Sequence, residues 1–336
     1  MDWIRRMMGG KIEVDTKKFT DNFFINHIKE TQLLRPKTKQ VYQRKIEIIQ
    51  HELFDSPKSF WWIIQHPQET YEAIIQWGSK QKGRSGGPIS TSSLKSLSAF
   101  IVSLILHHQD IQEYDPELLN KWRTITFRLA QPIIDQYDEQ RPSLRQKKAM
   151  VSLPQLKDLT QTLPDGSDNK LLLMLYTLIP PARSNYWRVK IVDSHHIPPD
   201  NEKINFIILD DVNQLFIRRY KTDTIYHMIT LDLPPDLIDQ IHLSLEQRPR
   251  QYLFTDHTGQ PYQKPETWNR WANRRLKGLT GNKYFTLTMF RHLYVSDPNL
   301  KLEKMNRKEK KQLAKQMGHS TNTQEQYRWK DQEEKK

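Results

Sequence analysis

Several polar residues near the C-terminus have types and spacings that suit phosphate chemistry. Arg291 lies in the apolar stretch TLTMFRHLYVSD, while Gly318-His319 and Tyr327 lie in QMGHSTNTQEQYRW, with eight positions from the histidine to the tyrosine (319 to 327). A charged group within apolar text needs an anionic partner. The phenol of a tyrosine is a weak nucleophile at neutral pH unless a cationic pocket activates it. Together these residues suggest an attack on a phosphate group.

Two cations upstream fit the same chemistry. Arg183 follows the apolar run LLLMLYTLI and two prolines, which end a helix and turn the chain sharply. A guanidinium there can grip two phosphate oxygens, which a lysine cannot do. Lys221 lies in the turn KTDT between two strand-like segments. Each cation alone is typical of a solvated or ion-paired surface residue, but both precede Arg291, His319 and Tyr327 in one ordered set.

This ordered set resembles the C-terminal signature of the tyrosine recombinases, the phage-integrase family. That signature is an arginine, a lysine, His-x-x-Arg, Gly-His and a nucleophilic tyrosine. The resemblance implies a site-specific DNA recombinase or integrase that cuts and rejoins duplex DNA through a 3′-phosphotyrosyl intermediate. It implies that Tyr327 is the nucleophile and that Lys221 protonates the departing 5′ oxygen. Arg183, Arg291 and His319 would hold the phosphate, and neither a metal nor a cofactor is expected.

Two positions and one spacing depart from the family pattern. Tyr186 stands where most members carry an acidic residue, three positions after the first arginine. Thr288 stands where the family has histidine; its hydroxyl can donate to a phosphate oxygen but cannot hold a proton near neutral pH, and we include it among the catalytic candidates. The spacing from His319 to Tyr327 is eight, against nine in most members.

Alternatives to a recombinase remain open at this point. A hairpin telomere resolvase and a type IB topoisomerase-like enzyme share the chemistry. They differ in which DNA strand supplies the 5′ hydroxyl that attacks the phosphotyrosyl bond. A DNA-binding relative with weakened activity is a third possibility, motivated by Tyr186 and Thr288. The segments PPAR and RHLYVSD are similar to those of recombinases from large DNA viruses, virophages and related mobile elements. Family behaviour implies a homotetramer on two DNA sites.

The N-terminal half is predicted to be helical. After an extension over residues 1–15, residues 16–134 carry apolar side chains at three- and four-residue spacing, which predicts a bundle of four or five helices. The resemblance implies that this bundle is the core-binding domain, which closes on duplex DNA. The glycine-rich loop 78–88 carries Lys80, Lys82 and Arg84, which are either DNA-backbone contacts or parts of a solvated connector.

A basic linker is predicted between the two halves. Residues 135–152 are polar, contain a proline and gather Arg141, Arg145, Lys147 and Lys148. These cations would cross the phosphate backbone of DNA, and the alternative is a plain solvated linker.

Residues 153–336 are predicted to form a mixed α/β, mainly helical catalytic domain. Three strand-like segments, 205–209, 214–220 and 225–231, predict a small three-stranded antiparallel sheet with Lys221 at the tip of a hairpin. A later helix, 266–276, turns Trp268 and Trp271 inward as core residues and offers Arg274 and Arg275 as phosphate contacts.

Composition limits the possible partners and compartments. A formal net charge of +13 predicts a polyanionic partner such as double-stranded DNA, although a merely basic soluble protein is the alternative. The absence of cysteine excludes a disulfide framework, a thiolate zinc site and a cysteine nucleophile. No apolar run reaches the ~18 residues of a membrane span, and the N-terminus lacks the apolar core of a signal peptide. We therefore expect a soluble intracellular protein located at DNA, in the cytoplasm or nucleoid or in a host nucleus.

Overall fold

The structure is a computed structural model of the 336-residue chain, and it describes residues 14–32, 34–83, 87–210 and 212–330. The chain divides into two compact units, Met1–Asp135 and Gln136–Lys336. Within the described residues, no helix is both long enough and apolar enough to cross a bilayer. The same residues contain no group of three or more His, Cys, Asp or Glu side chains that could hold a metal ion.

The first unit is a helical bundle with more and shorter helices than the sequence predicts. Its described residues hold seven α-helices instead of four or five: α1 (Asp21–Glu30), α2 (Pro36–His51), α3 (Phe60–Gln65), α4 (Pro67–Lys80), α5 (Thr91–His107), α6 (Gln109–Tyr114) and α7 (Leu118–Asp138). Pro67 explains one of the extra breaks. It has no backbone N–H to continue α3, and its fixed φ suits the first position of α4.

A single aromatic core holds this bundle together. Trp122 on α7 is fully buried, and its indole N–H donates to the carbonyl oxygen of Ile64 at 2.8 Å. Phe24, Phe60 and Phe100 bring α1, α3 and α5 into the same core. Burying one such side chain contributes on the order of 2 kcal/mol, so the periodic apolar residues of the sequence account for this unit.

The segment predicted as a linker contains regular structure. Helix α7 continues to Asp138, a short helix α8 spans Leu144–Lys148, and Ala149 is buried in the core of the second unit. Ser143 and Gln146 cap α8 reciprocally, each side chain bonding the other's backbone N–H. Residues 136–152 therefore belong to the second unit.

The second unit is mainly helical, with one small sheet. Its further helices are α9 (Leu153–Gln161), α10 (Asp168–Thr177), α11 (Asp223–Tyr226), α12 (Pro235–Gln247), α13 (Pro265–Thr280), α14 (Leu287–Val295), α15 (Arg307–Gln316) and α16 (Thr321–Tyr327). Residues 171–177 of α10 are all buried, as the apolar run predicts. Trp268 on α13 is fully buried and Trp271 packs against the same core, which confirms the prediction that both are core residues.

The sheet is mixed and four-stranded, so the prediction of a three-stranded antiparallel sheet is wrong. The strands are β1 (Val189–Val192), β2 (Asn205–Ile208), β3 (Gln214–Ile217) and β4 (Ile229–Asp232), in that order. β1 pairs parallel with β2, and the other two pairs are antiparallel. The strand that the sequence did not predict is β1, which has only four residues. It connects to its parallel neighbour β2 by a crossover, so it lacks the turn residues that mark a hairpin.

Lys221 does not lie in a tight hairpin turn. β3 ends at Ile217 and β4 begins at Ile229, so residues 218–228 form the connection between them, and this connection contains α11. The sequence predicts longer strands because aromatic and apolar residues flank the polar turn 221–224, namely Tyr220, Ile225, Tyr226 and Met228. Asn205 explains the early end of β3, since its side-chain oxygen accepts the N–H groups of Arg218 and Arg219 at 2.9 and 2.8 Å.

Candidate active site

A cleft of about 380 Å³ in the second unit brings four of the six predicted catalytic residues together. Those four are Arg183, Thr288, Arg291 and Tyr327. The other lining residues are Ser184, Asn269, Asn273, Thr286 and Leu287. The cleft is therefore built from the turn after α10, the facing sides of α13 and α14, and the end of α16.

Arg183 is held at the cleft by the turn that follows α10. The helix ends at Thr177, and Pro180 and Pro181 direct the chain away from its axis. The buried hydroxyl of Tyr176 donates a short hydrogen bond to the carbonyl oxygen of Arg183. The backbone at Arg183 is thus tied to the core while its half-buried side chain lines the cleft.

Arg291 is the most buried charge of the cleft, with 1% of its surface exposed. Its Nη1 donates to the carbonyl oxygens of Pro181 and Met317 at 3.1 and 2.8 Å. Its Nε and Nη2 have no hydrogen-bond partner. Burial is the main cause that lowers its pKa; Tyr327 acts in the opposite direction, and Arg183 adds to the lowering. A buried guanidinium without an anion costs several kcal/mol, so this arrangement calls for an anionic ligand.

Helices α13 and α14 meet at an asparagine that sets the start of α14. The side-chain oxygen of Asn273 accepts the N–H of Leu287 at 2.9 Å, which satisfies a free donor at the N-terminus of α14. One turn further, Arg291 enters the cleft from α14. Asn269 and Asn273 stand one helical turn apart on α13 and line the cleft opposite it.

His319 lies beside the cleft, with 4% of its surface exposed and no hydrogen-bond partner on either ring nitrogen. Burial, together with the charges of Arg291 and Arg183, lowers its pKa to about 3. The ring is therefore neutral near pH 7, with one donor nitrogen and one acceptor nitrogen. Its centroid is 5.4 Å from the centroid of the Tyr327 ring.

Gly318 allows the chain to pass close to the β3–β4 connection. Its φ is +68°, and a Cβ at this position would lie 3.2 Å from the ring of Tyr220. The hydroxyl of Thr222 donates to the carbonyl oxygen of Gly318 at 2.9 Å. Lys221 is exposed and lies between these two contacting residues. The structure thus places the connection that carries Lys221 against the Gly318-His319 turn.

Tyr327 ends α16, a helix that Ser320 caps through the N–H of Thr323. The guanidinium carbon of Arg291 lies 4.8 Å from the centroid of the Tyr327 ring. The segment after the tyrosine is fixed as well, because the N–H of Trp329 donates to the hydroxyl of Ser296 at 2.7 Å. The tyrosine is therefore held next to both buried groups by contacts within its own unit.

The residues that sequence reasoning missed are Asn269, Asn273 and His292. A signal for the asparagines was present, since asparagine is unfavourable inside helices and two of them recur here at a spacing of four. His292 gives no such signal, because adjacent residues of a helix point about a quarter turn apart and His292 therefore points away from Arg291. In the structure it is 5% exposed and lies 3.0 Å from the carbonyl oxygen of Tyr327 through Nδ1.

Tyr186, which stands at the family's acidic position, is a core residue. It is fully buried and packs edge-on against Tyr176, with ring centroids 5.0 Å apart. Burial raises its pKa above the ordinary tyrosine range. A neutral phenol at this place adds no negative charge beside Arg291, which leaves the positive charge of the cleft undiminished.

The residues proposed as DNA contacts are exposed wherever the structure describes them. Lys80 and Lys82 are exposed in the first unit, and Arg84 lies outside the described residues. The exposed cations of the second unit are Arg141, Arg145, Lys147, Lys148, Arg274 and Arg275. Arg141 forms an ion pair with Glu139. Arg274 and Arg275 line a separate cleft of about 700 Å³. Their role as DNA contacts stays a prediction.

Comparisons with known proteins find similarity among solved structures. No protein-family model matches the chain, and no curated protein matches it. The crystal structure of XerA recombinase is similar to this chain with a TM-score of 0.40 and 15% sequence identity, over 88% of this chain and 95% of that chain. The function therefore has to be argued from the geometry of the site.

Proposed function

We propose that this chain is a site-specific DNA recombinase or integrase whose second unit cleaves and rejoins DNA through Tyr327. The observation that carries the proposal is the pair of buried groups beside the Tyr327 ring. Arg291 has two unpartnered guanidinium nitrogens, and His319 has two unpartnered ring nitrogens. Buried polar groups in native proteins are almost always hydrogen-bonded. A phosphodiester supplies acceptors for Arg291 and for the protonated nitrogen of His319, and its negative charge compensates the buried guanidinium.

The proposed reaction needs only the side chains of this unit. The phenol oxygen of Tyr327 bonds to phosphorus as the bond from phosphorus to the 5′ oxygen breaks. Arg183 and Arg291 neutralise the charge that builds on the phosphate oxygens, an effect worth several kcal/mol at a buried site. The product is a 3′-phosphotyrosyl bond and a free 5′ hydroxyl. A 5′ hydroxyl from another strand then attacks the same phosphorus and releases the tyrosine.

Protons are balanced by two groups in this proposal. Neutral His319 has one donor and one acceptor nitrogen, so it can donate to the phosphate and accept the proton of the phenol. The charge of a bound phosphate favours the protonated ring and assists this transfer. Lys221 gives a proton to the departing 5′ oxygen. Thr222 holds the exposed connection that carries Lys221 against Gly318, next to His319.

The test is the covalent adduct itself. A nicked suicide duplex incubated with the protein and EDTA should yield a protein–DNA adduct. Tyr327→Phe should abolish the adduct and retain duplex binding, while Tyr137→Phe, at an exposed tyrosine outside the cleft, should behave as wild type. Duplex binding by wild type without any adduct would contradict the proposal and favour an inactive DNA-binding relative.

The products separate a recombinase from enzymes that share its chemistry. Joined strands from two different duplexes are expected for a recombinase. Hairpin ends would instead indicate a telomere resolvase, and relaxation of any supercoiled plasmid would indicate a topoisomerase. The homotetramer on two DNA sites belongs to the same proposal. It is checked by the mass of the complex that forms on paired sites.

A further inference from the structure

His292 has a determined tautomer, because its two nitrogens face groups of opposite kinds. Nδ1 lies 3.0 Å from the carbonyl oxygen of Tyr327, which can only accept, so Nδ1 carries the hydrogen. Nε2 lies 2.9 Å from the side-chain nitrogen of Gln146, which can only donate, so Nε2 carries the lone pair. Burial lowers the pKa of His292 to about 4, which keeps the ring neutral near pH 7.

The ring of His292 also packs on the residues around the nucleophile. It stacks on Trp329 with ring centroids 4.4 Å apart and an interplanar angle of 10°. It meets the Tyr327 ring edge-on at 4.8 Å and 66°. His292 therefore contacts the backbone of Tyr327, its ring, and the tryptophan two residues later, although it does not line the cleft.

Gln146 has only one way to face His292. Its side-chain oxygen accepts the backbone N–H of Ser143 at 2.7 Å as part of the cap of α8. The amide NH₂ group is thereby directed to Nε2 of the histidine. Gln146 lies between Arg145 and Lys147, two exposed cations on the same short helix. A hydrogen bond from Gln146 thus joins α8 to His292.

A second contact joins the same segment to the tail. The backbone N–H of Lys330 donates to the carbonyl oxygen of Gln140 at 3.2 Å. The side chain of Gln140 reaches Glu325 on α16 at 3.5 Å. Residues 140–146 therefore hold the stretch that contains Tyr327 on both of its sides.

We propose that Gln146 and His292 form a positioning relay that connects the cations of α8 to the nucleophile Tyr327. DNA phosphates bound by Arg145 and Lys147 fix α8, and the hydrogen bonds through Gln146 and His292 then fix the backbone of Tyr327. His292 acts through Tyr327 and does not touch the DNA. This inference rests on the proposed function, because it needs Tyr327 to be the attacking group.

Two substitutions of His292 separate the relay from simple packing. In His292→Asn the amide nitrogen takes the place of Nδ1 and still donates to the Tyr327 carbonyl. In His292→Gln the amide takes the place of Nε2, and that donor is lost. With saturating suicide duplex, His292→Gln should lower the rate of adduct formation about 10- to 100-fold, since misplacing a reacting group by ~1 Å costs up to that much. His292→Asn keeps the bond to Tyr327 but loses the acceptor for Gln146, so it should lower the rate by less than His292→Gln does.

Binding and stability supply the control for these two variants. Both should bind duplex DNA with the wild-type dissociation constant and melt at similar temperatures. Lys147→Gln should lower the saturated rate in wild type and add little in the His292→Gln background, because residues of one network are not additive.

Three results would overturn the relay. The first is a wild-type rate of adduct formation in His292→Gln. The second is an equal loss of rate in His292→Asn and His292→Gln that is proportional to their decrease in melting temperature. The third is full additivity with Lys147→Gln. In all three, wild type still forms the adduct, so the proposed function survives. Absence of any adduct from wild type overturns the proposed function and the relay together.

Discussion

At the scale of single residues, the cleft is defined by groups that are buried without partners. Arg291 and His319 are 1% and 4% exposed, and both keep unpartnered nitrogens. Such groups lower the stability of a protein unless a ligand satisfies them. Their position beside the Tyr327 ring, together with Arg183 in the same cleft, favours a phosphate as that ligand.

Replacing Arg291 with lysine should retain the positive charge and remove the several N–H donors of the planar guanidinium. A lysine cannot reach the carbonyl oxygens of Pro181 and Met317 and a phosphate at once. We expect adduct formation to fall at least about 100-fold, with little change in duplex binding, measured by single-turnover cleavage and by fluorescence anisotropy. Arg188→Lys, at an exposed arginine of the same unit, should cleave normally. An equal loss in both variants would contradict a specific role for Arg291.

The buried histidines predict a stability that declines in acid. His292 and His319 have pKa values lowered to about 4 and about 3, against about 6.5 in an unfolded chain. Above pH 6.5 neither state binds these protons, so their contribution to stability is complete. Between 6.5 and about 4 only the unfolded state binds them, and stability falls by up to about 1.4 kcal/mol per pH unit for each histidine.

Urea unfolding at pH 7.5 and pH 5 in a phosphate-free buffer measures this loss. His319→Gln should reduce the difference between the two pH values. His242→Gln, at an exposed histidine, should leave the difference unchanged. A loss that is the same in all three proteins would show that His319 does not cause it.

At the scale of elements, close approaches between loops complete the site. The helices α13 and α14 supply Asn273 and Arg291 from rigid supports. The turn at Gly318, in contrast, is where the chain after α15 meets the β3–β4 connection. The position of Lys221 relative to His319 therefore depends on a glycine that permits both a positive φ and a close contact.

Gly318→Ala should disturb this turn. The new Cβ would lie 3.2 Å from the Tyr220 ring, and alanine is unfavourable at a φ of +68°. We expect a loss of about 1–2 kcal/mol in the free energy of unfolding, with slower adduct formation. The matched control is Gly278→Ala on α13, where a Cβ meets nothing within 4 Å. It should stabilise the protein by up to about 1 kcal/mol. Destabilisation of equal size in both variants would argue against a special role for Gly318.

At the scale of the whole molecule, the net charge favours the binding of a polyanion. A formal net charge of +13 gives a polyanion a favourable field, and exposed cations occur in the described parts of both units. Cations that neutralise phosphates release counterions from the DNA. Binding to duplexes of any sequence should therefore weaken steeply as salt rises.

The salt dependence can be assigned to single residues. Substituting Arg145 or Lys147 with glutamine should reduce the slope of log affinity against log salt by about 1 each. Arg44→Gln is the control, because Arg44 already pairs with Glu47 and Glu52. Fluorescence anisotropy over a salt series measures the slopes. Unchanged slopes for Arg145 and Lys147 would exclude α8 as a DNA contact.

The sequence determined the local features of this protein. Apolar periodicity located the buried helices, including α10, and identified Trp268 and Trp271 as core residues. The sequence also identified Arg183, Arg291 and Tyr327 as candidates. A charged residue within an apolar segment and a turn that contains two prolines can be recognised without knowledge of the fold. Both signals depend on neighbours in the chain, which the sequence shows directly.

Only the tertiary structure decided how distant segments meet. The parallel strand β1, the length of the β3–β4 connection and the packing of residues 136–152 onto the second unit depend on pairings between remote residues. The contacts of His292 with Gln146 and Tyr327 span 146 and 35 positions. Such contacts leave no periodic or local mark in the sequence, because they are chosen by packing and hydrogen-bond satisfaction across the folded unit.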